Sequence, residues 1–166
     1  MTMHSGNTAI SGLKSFPLLS RLSDEELAYL AEVMEERSFP AGAEILKEGE
    51  TGDEMYLLLR GSVDVLKTTP YGDRYVTASL VDSYHCSFGE MALIDRGQRS
   101  ATVRAKTECR TLVLSYKAFH RFCREHPTVG LELLMSISAT LVHDLRMENE
   151  NLRIVYQALI EEIENH

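Results

Sequence analysis

Residues 87–105 read SFGEMALIDRGQRSATVRA. An acid, Glu90, follows Gly89 directly and opens the short run Glu90-Met91-Ala92-Leu93. An arginine, Arg99, then stands between a glycine-bearing loop and the strand-like Ser100-Ala101-Thr102-Val103. A glycine leading into a helical turn at a strand end offers unpaired backbone N–H groups, which favour an anion. The planar guanidinium of Arg99 can hold two oxygens of that anion, whereas Glu90, when ionised, only accepts and so suits a hydroxyl. One base for a phosphate and one acid for a hydroxyl describe a sugar-phosphate. Small residues at Gly89, Ala92, Ser100 and Ala101 let the backbone approach such a ligand closely. The competing reading is an ion pair between Glu90 and Arg99 across a turn, a common and weak surface feature.

Composition narrows the setting. The 166 residues, 44% of them hydrophobic, can bury one core but hardly two. The formal charge of -8 argues against a nucleic-acid partner, which needs clustered Lys and Arg. The sign reverses locally: Arg96, Arg99, Arg104, Lys106 and Arg110 face only Asp95 and Glu108 in that stretch, which fits a small anion better than a polymer. Cys86, Cys109 and Cys123 are an odd number at unremarkable spacings, so reduced thiols are expected rather than a disulfide framework. No apolar run is read as approaching the roughly 18 residues of a membrane span, and the N-terminus lacks a signal-type apolar segment. A cytoplasmic protein with no membrane partner is the expectation.

Glycines and prolines divide the chain. Leu13 to Glu36 is helical in pattern, with Ser23 as N-cap, Glu26 three residues on, and an apolar stripe from Leu27 to Met34. From Phe39 to Leu114 short β-rich runs alternate with Gly42, Gly49, Gly52, Gly61, Gly72 and Gly97, and Pro70-Tyr71-Gly72-Asp73 joins two of them as a hairpin. That spacing predicts an all-β barrel or roll. Tyr116 to Glu125 reads as a helix. A second runs from Pro127 almost to His166, about 55 Å at 1.5 Å per residue and longer than a small roll can cover. The expected organisation is a flexible N-terminus (1–12), a mainly β domain with flanking helices (13–125), and a long C-terminal helix (126–166).

The opening segment resembles the phosphate-binding cassette of cyclic nucleotide-binding domains: Phe88, Gly89, Glu90, Met91, Ala92 and Leu93, then Arg99, Ser100, Ala101, Thr102 and Val103. The upstream KEGETGDEMYLLLRGSVDVL is similar to the glycine-turned strands of that family, and FPLLSRLSDEEL to its N-terminal helices. The resemblance covers about residues 13 to 145 and implies a cyclic nucleotide-binding β-roll. It gives Glu90 the ribose 2'-hydroxyl, Arg99 the cyclic phosphate, and backbone N–H groups around Ala92 and Ser100 the rest of the phosphate. Two departures stand out: Gln98 where many members carry proline, which would loosen the loop, and a long approach, Leu80 to Ser87, without the customary glycine.

The resemblance also implies that the C-terminal helix is the lid, with Asp144, Leu145 and Arg146 passing the base. Ser100 and Asp144 suit either base; family frequency favours cyclic AMP over cyclic GMP. Relatives such as the catabolite activator protein append a helix-turn-helix DNA reader, and none is read here, nor any catalytic domain. The expectation is a sensor that binds without turnover, or a fragment of a larger regulator. A degenerate, non-binding roll is the alternative from another class. Leu134, Leu141, Leu145, Leu152, Val155 and Leu159, interrupted by Ser138 and Glu148, approximate heptad spacing and predict a homodimer through the long helix. No metal or other cofactor is expected. His120, Cys123 and His126 lack a fourth ligand and a shared helix face, His85-Cys86 as a haem site conflicts with an intact cassette, and no nucleophile elbow or phosphate-loop lysine accompanies His85 and Ser87.

Overall fold

The third strand carries the architecture. β3 (Glu54–Arg60) is buried at four consecutive positions, and because side chains alternate across a strand, that run must face apolar partners on both sides. Tyr56 and Leu58 point into one core with Val63, Phe88, Val103 and Val113. Met55 and Leu57 point into another with Leu93, Leu114, Phe119, Phe122 and Ile137. The first core lies between two sheets and the second between a sheet and the helices.

In this computed structural model, which describes residues 12–164, β1 (Glu35–Phe39), β2 (Glu44–Leu46), β3, β4 (Ser62–Thr68), β5 (Arg74–Val81), β6 (Ser87–Phe88), β7 (Thr102–Ala105) and β8 (Cys109–Ser115) form two four-stranded sheets. Their orders are β1-β8-β3-β6 and β2-β7-β4-β5, and every pairing is antiparallel. This is the expected β-roll with flanking helices. α1 (Asp24–Ala31) precedes it, while α2 (Tyr116–Glu125) and α3 (Pro127–Glu164) follow. The Pro70–Asp73 hairpin closes as predicted, with Thr69 N–H donating to Asp73 C=O at 2.8 Å. The flexible N-terminus expected over residues 1–12 falls, apart from Gly12, outside the described residues.

Three boundaries differ from the sequence reading. The helical pattern assigned to Leu13–Glu36 resolves into a 3-10 turn at Pro17–Leu19 and α1, capped by the reciprocal Ser23 and Glu26 box. Glu35 and Glu36 instead open β1, in register with Val113 and Leu112 of β8. Tertiary pairing overrides helical propensity there, helped by Arg110 Nε donating to Glu36 at 2.7 Å. β6 is too short to show a period, yet it pairs Phe88 with Tyr56. In the glycine-free approach a 3-10 turn at Asp82–Tyr84 ends on His85 at φ 49°. A non-glycine residue therefore takes the left-handed position, and its ring packs 5.5 Å from Phe16.

α3 has 38 residues. Val129, Gly130, Leu133 and Ile137 are buried against the roll, while the positions from Val142 onward are exposed. The sequence expectation about membrane length needs correcting, because this helix is long and apolar enough to cross a membrane by length and composition. Its apolar content is explained by the buried stripe on one face and an exposed stripe on the other.

Candidate functional site

Gly89, at φ 81°, turns the chain from β6 into a 3-10 turn spanning Glu90–Leu93, whose Ala92 and Leu93 are buried. The turn hangs from the roll by its apolar side and presents Glu90 to a cavity of about 250 Å³. The cavity's apolar wall comes from both sheets, Leu46, Val65, Phe88 and Val103; its polar rim is Glu90, Arg99, Ser100 and Asp144. All eight cassette positions named from sequence, Phe88, Gly89, Glu90, Met91, Ala92, Arg99, Ser100 and Ala101, line it.

Glu90 and Arg99 do not pair. Among the described residues neither makes a salt bridge, and Glu90 Oε2 is sealed from solvent with no hydrogen-bond partner. Burial holds the Glu90 carboxyl above the usual carboxylate range, partly offset by its own backbone N–H, and the negative charge of Asp144 pushes it further. Arg99 is half-buried, and burial pulls its guanidinium below its ordinary value. Its Nη1 donates to Gly89 C=O at 3.3 Å. The guanidinium lies over Gly52 so closely that a Cβ there would stand 2.0 Å from Nε, which makes Gly52 a requirement of this placement.

The cassette loop is tied down despite the missing proline. Gly52 N–H donates to Gly97 C=O at 3.1 Å, Arg99 N–H to Glu50 C=O at 2.8 Å, and Gly49 N–H to Arg99 C=O at 2.9 Å. Asp95 adds an acceptor for Gly97 N–H at 2.8 Å. Gln98 sits in an antiparallel bridge to Thr51. Among the described residues no backbone hydrogen bond engages Ser100 N–H, while Ala92 N–H donates to Gly89 C=O at 3.2 Å.

Behind Arg99 lies a charged network. Arg37 donates two bonds to Glu54, at 2.8 and 3.0 Å, and Tyr56 Oη donates to the same carboxylate at 2.7 Å. The Arg37 bond holds Glu54 below its usual range, and burial raises the Tyr56 phenol. Asp53, Glu54 and Tyr56 all act electrostatically on Arg99, a setting the sequence reading did not assign. The acid-rich GDE at 52–54 was its visible signal.

The lid residues separate. Asp144 lines the cavity, and so does Leu141 one turn earlier, which the sequence reading gave to a dimer seam. Leu145, 61% exposed, and Arg146 do not line it: helical spacing turns them about 100° and 200° away from Asp144. His120 is engaged 3.0 Å from Leu93 C=O, and His126 stacks on Tyr29 at a ring distance of 5.0 Å, so both rings serve packing.

Residues 36–126, more than half of the chain, match the sequence profile of the cyclic nucleotide-binding domain. The chain belongs to that family. It is 39% identical over 111 residues to the cAMP-dependent protein kinase regulatory subunit of Emericella nidulans, covering 66% of this chain and 25% of that protein. Its fold matches a cyclic nucleotide-binding domain from Methylobacillus flagellatus KT at a TM-score of 0.78 and 25% identity, over 88% of this chain and 83% of that one. The regulatory domain of Toxoplasma gondii PKA, crystallised with cAMP, matches at 0.67 and 29%, over 81% and 49%. The chain spans between 22% and 52% of the length of the curated relatives it matches.

Proposed function

We propose that this chain is a cAMP-binding regulatory module that senses the nucleotide without transforming it and passes the signal to its C-terminal helix. The observation that carries this is the sealed, partnerless Glu90 Oε2 in the same cavity as Arg99, which among the described residues makes no salt bridge. A buried acceptor left unsatisfied costs roughly 1–3 kcal/mol, and a ribose 2'-hydroxyl donating to it removes that cost. Arg99 then pairs with the cyclic phosphate, with backbone N–H groups near Ala92 and Ser100 completing the cradle. The base lies against the apolar wall beneath Leu141 and Asp144. The cAMP in the Toxoplasma relative supports adenine; Asp144 accepts equally from guanine, so cyclic GMP is the second reading.

The module is read as cytoplasmic, without metal or nucleic-acid partner, and as a homodimer through α3. The test is calorimetric titration with cAMP and cGMP in parallel, with AMP assayed in the same samples. Micromolar cAMP binding without AMP is expected. Binding of neither nucleotide overturns the proposal in favour of a structural roll, and AMP accumulation overturns the non-catalytic reading.

A further inference from the structure

We infer that Gln98 is a further ligand of the phosphate in this site, its side-chain amide donating a hydrogen bond to one of the two exocyclic oxygens of the cyclic phosphate that Arg99 holds. This deepens the cyclic nucleotide reading above and rests on it. Gln98 precedes Arg99 directly and lines the same cavity, followed there by Ser100 and Ala101. It is exposed, and among the described residues its side-chain amide makes no hydrogen bond. The fold leaves that amide unused.

The backbone does not explain a glutamine here. Thr51 and Gln98 oppose each other across an antiparallel bridge, and the bonds that close it belong to their neighbours: Gly52 N–H donates to Gly97 C=O at 3.1 Å and Arg99 N–H to Glu50 C=O at 2.8 Å. That is the non-hydrogen-bonded type of pair. Gln98 N–H enters no backbone hydrogen bond among the described residues, so the bridge would accept a residue without that donor. Position 98 is held firmly beside Arg99 while its side chain stays free for a ligand. Charge indicates which part of the ligand. Three acids, Glu90, Asp95 and Asp144, line the cavity with one base, Arg99. A phosphate monoanion entering such a site needs uncharged donors besides the guanidinium. A glutamine amide brings two N–H donors and no charge, next in the chain to the arginine that takes the phosphate.

The test is calorimetric titration of the full chain, as parent, Gln98→Ala and Gln98→Glu, with cAMP and with its Rp and Sp phosphorothioates. In each of these, sulfur, a weaker acceptor, replaces one exocyclic oxygen. Gln98→Ala should weaken cAMP about three- to tenfold. It should weaken one phosphorothioate by the same factor and leave the other, whose sulfur already faces Gln98, nearly unchanged. Gln98→Glu is close to isosteric but sets an acceptor and a fourth negative charge against the phosphate, so it should cost about tenfold or more. Ligand-free melts of Gln98→Ala should match the parent's, because no bond within the protein is lost. Undiminished cAMP affinity in Gln98→Ala, or equal losses for both phosphorothioates, overturns the inference and leaves the cAMP reading standing. A lowered melting temperature for Gln98→Ala also overturns it, by making the amide a structural group. Parent protein that binds none of the three nucleotides overturns the reading beneath it as well.

Discussion

Glu90 is costly where it stands, and the cost has a pH signature. Its carboxyl is raised above its unfolded value by burial and by Asp144, so its favourable contribution is fully present below the usual carboxylate range. That contribution is lost as pH rises through the raised value. Glu90→Gln should therefore stabilise the ligand-free protein near neutrality by about 1 kcal/mol, or ~2–4 °C in Tm, and should flatten stability between acid and neutral pH. Thermal melts across that range check it, and a neutral-pH melt no higher than the parent's removes the argument. The same variant should weaken cAMP only modestly, since an amide oxygen still accepts. Arg99→Ala should cost at least roughly 1.5–3 kcal/mol, tenfold to a hundredfold in affinity, by leaving the phosphate only neutral donors. Titration of both variants gives the ranking, and an Arg99→Ala protein that binds like the parent places the phosphate elsewhere. The cassette was legible because Glu90 and Arg99 stand nine residues apart in one continuous segment. Gly52 and Glu54 were not assigned, because what makes them matter is the approach of a guanidinium from across the sheet.

At the scale of elements, α2 and α3 meet at a glycine that looks out of place in a helix. Gly130 would be replaced by alanine on propensity alone, yet a Cβ there would stand 2.8 Å from the Cα and Cβ of Cys123. Backbone cannot yield cheaply, so Gly130→Ala should push α3 from α2 and destabilise the fold by about 1–3 kcal/mol despite the gain in propensity. Denaturant melts measure the change. Because α3 also carries Leu141 and Asp144 over the cavity, cAMP affinity should fall in the same variant; a protein as stable as the parent would mean the contact is slack. The β-roll was readable from short apolar runs punctuated by glycines; β3, buried at four consecutive positions, has no alternation to read, so its length and its flanking Gly52 and Gly61 carried the assignment. The first two residues of β1 were read as helix because Glu35 and Glu36 continue an α-type pattern, and only the distant β8 claims them. Leu141, given to a dimer seam on spacing, lines the cavity instead, because spacing cannot tell which stripe of a helix its own roll covers.

For the whole molecule, Asp144 on the cavity and Leu145 on the exposed side of α3 stand one residue apart, so the proposed nucleotide binding and the proposed pairing would share one helix. A ligand that draws Asp144 and Leu141 inward must also turn the stripe, and pairing of the stripe must in turn fix where Asp144 stands. If α3 does pair, the two sites are coupled through that helix, and the coupling is reciprocal: a factor by which cAMP favours the dimer is the factor by which the dimer binds cAMP more tightly. Leu152→Asp tests this without touching a pocket residue. Two carboxylates facing each other across an apolar seam should dissociate the dimer, and cAMP affinity should drop by a factor within the usual range of allosteric coupling, about 5- to 150-fold. Sedimentation with and without cAMP, paired with titrations of parent and variant, supplies both sides of the cycle, and the two factors should agree. A monomeric Leu152→Asp protein that keeps the parent's affinity would make α3 beyond Asp144 a tether, and the signal would have to leave through the roll itself.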